Sequence, residues 1–206
     1  MDQLPLTSKN AILPTQNSQD WMLMAPDDDQ QDDFDSYRDL TGYGLDRNRE
    51  EELLRRQKEC TFMWTNKSGE PVGVIMTFLA AKGKIWLAVT EQRARVAAVR
   101  RDPRTCIAIS SAGLPDWGTG KTVTYKGTTK VHAHDSPVVA GWLFHDYVAK
   151  LNGEGNHERI DFMTSVLDIP ERVVFEFTPG KRISYDGDRM AALTPGASGK
   201  FDDMYK

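Results

Sequence analysis

Arg93 and Arg95 stand one residue apart in the stretch IWLAVTEQRARVAAVRRDPR, Ile85 to Arg104. A run of strand formers leads there into a helical pattern, with Thr90 placed as the cap and both arginines in the first turns. Free backbone N–H groups, the positive end of the helix dipole and two guanidinium groups would converge at that point. Guanidinium geometry suits bidentate contact with phosphate, and the Thr90 hydroxyl would add a donor. The arrangement could hold a phosphate monoester. The same residues also fit a solvated surface helix braced by salt bridges, and the stretch alone does not choose between them.

A second stretch, GLPDWGTGKTVTYKG from Gly113 to Gly127, ends its glycine-rich part in Gly120-Lys121-Thr122. A triphosphate-binding loop is GxxxxGK[ST] between a strand and a helix. Here Pro115 occupies the first glycine position, and a strand pattern follows Lys121. Nucleotide triphosphate hydrolysis is therefore not expected. A plain hairpin loop is one reading. The other sets Lys121 and Thr122 at the mouth of a barrel pocket, with Trp117 as a lid. His132 and His134 alternate on one strand beside Asp135, but no third metal ligand is evident, so a strand end is the expected role. His145 could ligate haem or donate a proton; packing or surface exposure is the simpler expectation. No Gly-x-Ser-x-Gly, HExxH or paired-cysteine pattern occurs.

The elements that would position these residues follow from periodicity. Residues 47–59, RNREEELLRRQKE, read as a helix with acids preceding bases. Strands are predicted over Cys60–Thr65, Pro71–Leu79 and Lys84–Val89, joined by glycine-containing turns. The short helix after Thr90 stops at Asp102-Pro103. Strands follow over Thr105–Ser111 and Thr122–His132. Asp135-Ser136-Pro137 should open a helix with Val139, Trp142, Leu143, Tyr147 and Leu151 as its apolar stripe. Another short helix covers Asn156–Leu167, and a late strand Glu171–Thr178. Arg182–Tyr185 either continues that strand or forms a last one. The expected fold is mainly β with flanking helices, a six-stranded antiparallel barrel.

The chain has 206 residues and a net charge of −4. That small negative balance argues against a nucleic-acid partner. No apolar run approaches the roughly 20 residues that span a bilayer, and the N-terminus lacks a signal-peptide pattern. Cys60 and Cys106, the two cysteines, lie in apolar strand settings and are expected as free thiols in a reducing cytoplasm. Residues 1–45 form an acidic arm containing APDDDQQDDFD, residues 46–190 the barrel domain, and residues 191–206 a polar tail.

The order of segments resembles the pyridoxamine 5'-phosphate oxidase-like split-barrel family. The hairpin SGEPVGVIMTF, the strand-to-helix run KIWLAVTEQRARVAAVRRDPR, the strands TCIAIS and KTVTYKGTTKVHAHD, and the late ERVVFEFTPGKRISYD carry the likeness. The resemblance implies a split β-barrel homodimer, with a cofactor at the subunit interface and hydride or electron transfer to a small organic substrate. FMN is the first expectation, an 8-hydroxy-5-deazaflavin-type coenzyme the alternative, and haem a further one; a non-catalytic flavin-binding module is also compatible. By position, Val89 and Thr90 would lie at the phosphate end, and Arg93 and Arg95 would grip the phosphate. Lys121 and Thr122 would approach the ring, and Met76 and Thr77 would line its pocket. Substrate would stack beside Trp117 and the strand around Arg182. Lys121-Thr122 stands where pyridoxal-forming members carry an Arg-Gln pair. The apolar Val74–Phe78 likewise replaces their Arg…Lys pattern. Both departures point away from vitamin B6 oxidation.

Overall fold

The structure, a computed structural model, describes residues 42–193 except Thr119 and Glu154. Most of the acidic arm and nearly all of the tail therefore lie outside the described residues. Asp46 caps helix α1, Arg47–Arg56, by accepting from the Arg49 N–H at 2.9 Å. Arg55 and Arg56 close its last turn, the charge order that favours the helix dipole. The helix ends three residues earlier than the sequence pattern suggests, because the chain enters strand β1, Glu59–Thr65.

Seven antiparallel strands follow: β1, β2 (Pro71–Thr77), β3 (Leu79–Ala81), β4 (Lys84–Thr90), β5 (Arg104–Ser110), β6 (Lys121–Ala133) and β7 (Arg172–Asp186). Their order is β2-β1-β5-β6-β7-β4-β3. The two edge strands, β2 and β3, are separated in sequence by Phe78 alone. One residue cannot span an open sheet, so the sheet must curl until its edges meet, as an open, split barrel.

The count is seven rather than six because the expected strand Pro71–Leu79 breaks at Phe78. That side chain is fully buried, and its N–H leaves the ladder to donate to the Lys58 carbonyl at 3.1 Å. Arg182–Tyr185 belongs to one continuous 15-residue β7. β6 and β7 stay in register except near Gly127. A side chain at Gly127 would collide with the Thr178 carbonyl and the Phe177 ring, so the close strand approach there requires glycine.

Alternation along the strands sends one set of side chains inward. Phe62, Leu87, Ile107, Val123, Phe175 and Phe177 are fully buried and form the barrel core. Helix α2, Ala94–Arg101, adds Val96 and Val99, and α1 adds Leu53. Each such side chain contributes about 1.5–3 kcal/mol of burial. Outside the barrel, Leu79, Trp86 and Val174 pack against helix α3, Leu143–Asn152, through Leu143, Phe144 and Tyr147. β4 is thus covered on both faces. The helix expected to open at Asp135-Ser136-Pro137 begins at Leu143 instead. Gly141 takes a φ of +79° just before it, a backbone turn that no right-handed helix admits. Helix α4 spans His157–Leu167 and α5 spans Gly187–Leu193. Among the described residues no helix is long and apolar enough to cross a membrane.

Candidate functional site

β4 delivers the chain to Thr90, which pairs with Arg172 and ends the strand. Thr90 is not the cap of α2. The turn Glu91-Gln92 intervenes, Arg93 occupies the cap position, and its N–H donates to the Thr90 carbonyl at 3.1 Å. No side chain caps the helix, and its first turn holds no acid. Glu91 turns away to pair with Arg100 through both its oxygens. The first-turn donors of α2 therefore have no carboxylate beside them.

Arg93 is exposed and Arg95 half-buried. The Arg95 Nε is buried with no hydrogen-bond partner. Burial, and then the neighbouring Arg93 charge, push the Arg95 pKa below its ordinary value. Neither arginine forms an ion pair among the described residues. Two like charges, one orphaned donor and an uncapped helix start meet at one corner. Those residues fit an anion.

The other expected residues divide. Met76 and Val89 point into the barrel core, 8% and 2% exposed. They supply wall rather than pocket surface. Thr77 faces out, and its Oγ1 lies 2.7 Å from the Tyr147 hydroxyl, which itself donates to the Thr77 carbonyl at 2.6 Å. Thr122 is exposed. Lys121 is not at a pocket mouth: its side chain is wholly buried. Its Nζ lies 2.7 Å from Asp188, 3.7 Å from Asp186, and donates to the Trp117 carbonyl. Strand parity explains this, since Lys121, Val123 and Tyr125 alternate inward. The counter-charges come from the far end of β7 and from α5, which sequence proximity could not indicate.

Trp117 is likewise no lid. It is 5% exposed and belongs to the barrel core. Guanidinium groups of Arg49 and Arg56 stand 5.4 and 5.8 Å from its ring centroid. The loop is plugged into the barrel by this ring. Arg182 does not join the arginine pair: it binds Glu50 at 2.5 Å and the Leu45 carbonyl at 2.9 Å. His132 is buried against Glu176 at 2.7 Å. No group of three metal-ligating side chains exists among the described residues. Cys60 and Cys106 are free thiols.

Sequence reasoning missed one surface. The registers align Ile75, Thr61, Ala108, Thr124 and Ile183 in a single row across five strands. The two isoleucines are 64% and 52% exposed. The available signal was PVGVIMT, a strand apolar on both faces where only one can line the core.

The family model described as pyridoxamine 5'-phosphate oxidase matches residues 49–184. The chain belongs to that family. Arg93, Arg95 and every strand of the barrel fall within the match, β7 up to its last two residues. A conserved hypothetical protein from Mycobacterium tuberculosis is similar in structure, with a TM-score of 0.60 at 16% identity. The likeness covers 73% of this chain and 91% of that one. The heme storage protein HutZ from Vibrio cholerae gives a TM-score of 0.51 at 13% identity, over 68% and 94% of the two chains. At these identities the likeness shows the fold. No curated protein is similar enough to match the sequence. In this family member the α2 corner is a candidate anion site on a split barrel.

Proposed function

We propose that the protein is an oxidoreductase that binds FMN, or a deazaflavin coenzyme, with the phosphate held at the α2 corner. The observation that carries this reading is the orphaned, buried Arg95 Nε beside the unpaired Arg93. An enclosed guanidinium donor without a partner is unfavourable unless a ligand completes it. A phosphate monoester offers the charge and the acceptor oxygens.

Arg93 and Arg95 would hold the phosphate, with the α2 backbone N–H groups and the Thr90 hydroxyl as further donors. When bound, the ring system would supply hydride or electron transfer to a small organic substrate. The chain's own contribution is placement and exclusion of water. Met76 and Val89 keep the barrel wall behind the site dry. Lys121 anchors the Trp117 loop through Asp186 and Asp188, rather than touching the ring. Thr122, the exposed neighbour of Lys121, is a β6 residue able to face a ligand.

The row from Ile75 to Ile183 is the face on which a second copy would dock, making the protein a homodimer with the cofactor against the interface. A five-strand face with a more than half-exposed isoleucine at each end suits such a partner.

The absorbance spectrum of the purified protein, with mass identification of what co-purifies, tests the assignment. Flavin or deazaflavin bands support it, and turnover with a nicotinamide donor then separates an enzyme from a carrier. A Soret band would replace it with haem binding. Failure to take up either coenzyme on incubation would refute it.

A further inference from the structure

A cleft of about 1070 Å³ opens between α1, the β3–β4 hairpin, α3 and the β6–β7 pair. Of the residues expected at the cofactor or substrate only Arg182 lines it, held there by Glu50, and none of Met76, Thr77, Val89, Thr90, Arg93, Arg95, Lys121 or Thr122 does. Lys84 and Ile85 line it at one end of β4, and Thr90 stands at the other, about 20 Å of strand away. It is therefore a separate site.

The cleft is basic in a chain of net negative charge. Arg47, Arg55, Lys82, Lys84, Lys150 and Arg182 line it, against three acids, Glu50, Glu51 and Asp146. Glu50 is held by Arg182 and the Tyr125 hydroxyl, while Glu51 and Asp146 stand exposed, 3.9 Å from Arg47 and 3.4 Å from the His145 ring. Lys82 sits over the Trp142 ring, and Lys84 pairs with Glu176.

Lys150 is different. Its Nζ donates to the Leu54 carbonyl at 3.0 Å and stands 3.5 Å from the Phe78 ring centroid. No carboxylate pairs with it among the described residues, and Arg55 beyond it on α1 has none either. Burial pushes its pKa down to about 8. The nearby Cys60 thiol is pushed up to about 12 by its own burial, so it stays neutral and supplies no counter-charge. A half-buried ammonium held by a carbonyl and a ring, with no carboxylate beside it among the described residues, leaves room at the cavity wall for an anionic partner. Leu54 and Ala149, both partly exposed, provide apolar surface beside it, backed by the buried Leu79 and Ile85.

We propose that this cleft binds an apolar carboxylic acid, its carboxylate pairing with Lys150 and Arg55 and its body lying on the aliphatic wall. The chemistry is that of a charge-assisted hydrogen bond in a partly desolvated site, next to a hydrophobic surface large enough for a small molecule.

The full-length protein titrated calorimetrically with 2-naphthoate provides the test, with neutral 2-naphthamide as the uncharged analogue. One naphthoate per chain should bind, and the amide should bind at least about tenfold more weakly. Lys150→Met should weaken naphthoate about tenfold. Arg55→Ala, an exposed change that leaves the fold untouched, should weaken it by a smaller factor. An Arg93→Ala, Arg95→Ala double variant should bind naphthoate as tightly as the parent, so this site and the cofactor corner can fail independently. Absence of binding, equal binding of the amide, indifference to both Lys150→Met and Arg55→Ala, or loss in the double arginine variant would each overturn the proposal.

Discussion

The Lys121 ammonium lies wholly inside the protein, 2.7 Å from an Asp188 carboxylate oxygen. The pair ties the first residue of β6 to α5, and Asp186, 4% exposed, stands 3.7 Å from the same nitrogen. Removing the lysine leaves a buried carboxylate without its cation. Lys121→Met is therefore expected to lower unfolding free energy by about 3 kcal/mol, read by denaturant titration. Asp188→Asn should cost less, because that carboxylate is partly solvated. Cofactor affinity of the folded Lys121→Met protein should be nearly unchanged.

The arginine corner should behave in the opposite way. Arg95 carries an unsatisfied donor beside a like charge, so Arg95→Leu in the cofactor-free protein should leave the melting temperature unchanged or raise it. The same variant should lose the stabilisation that saturating cofactor confers, about 2.7 kcal/mol at a hundredfold excess over Kd. Thermal unfolding with and without FMN reads both effects.

Lys150 makes stability depend on pH. Its folded pKa, about 8, lies below the ordinary 10.5. Between those values the unfolded chain holds a proton that the folded chain has released. The unfolded state binds more protons there, so Lys150 makes stability rise as pH rises from 8 to 10.5. Below pH 8 its unfavourable desolvation is fully present. Lys150→Met should remove that rise, seen as a flatter difference in melting temperature across the window, and should raise stability at pH 7.

The proposed homodimer would meet across the sheet face. Ile75 and Ile183 end one cross-strand row, and both are more than half exposed. Ile75→Asp should convert a dimer to a monomer in sedimentation while circular dichroism stays constant. The side chain points away from the core, so folding should be little affected.

Much of the barrel was legible from period-two patterning. Cys60–Thr65 and Thr105–Ser111 coincide with strands to within a residue or two, because each alternates one buried face against one outer face. The division of Pro71–Leu79 was not legible, since Phe78 leaves the ladder to close the barrel, a tertiary demand. The late start of α3 hung on Gly141, whose apolar neighbours Val139 and Leu143 keep helical spacing through a backbone turn. Of the site, Arg93 and Arg95 could be found because a strand running into a helix is a local pattern. Lys121 was misplaced because its partners, Asp186 and Asp188, lie 65 and 67 residues further along the chain. Trp117 shares that cause: its glycine-rich context suggested mobility, but Arg49 and Arg56 from α1 hold the ring.

Comparing FMN with riboflavin, which has the same ring and no phosphate, tests the central claim most directly. In calorimetric or fluorescence titrations the parent protein should bind FMN at least about a hundredfold more tightly, as two charge-assisted contacts imply. The Arg93→Ala, Arg95→Ala protein should bind the two ligands almost equally. An FMN preference that survives loss of both arginines would contradict the account.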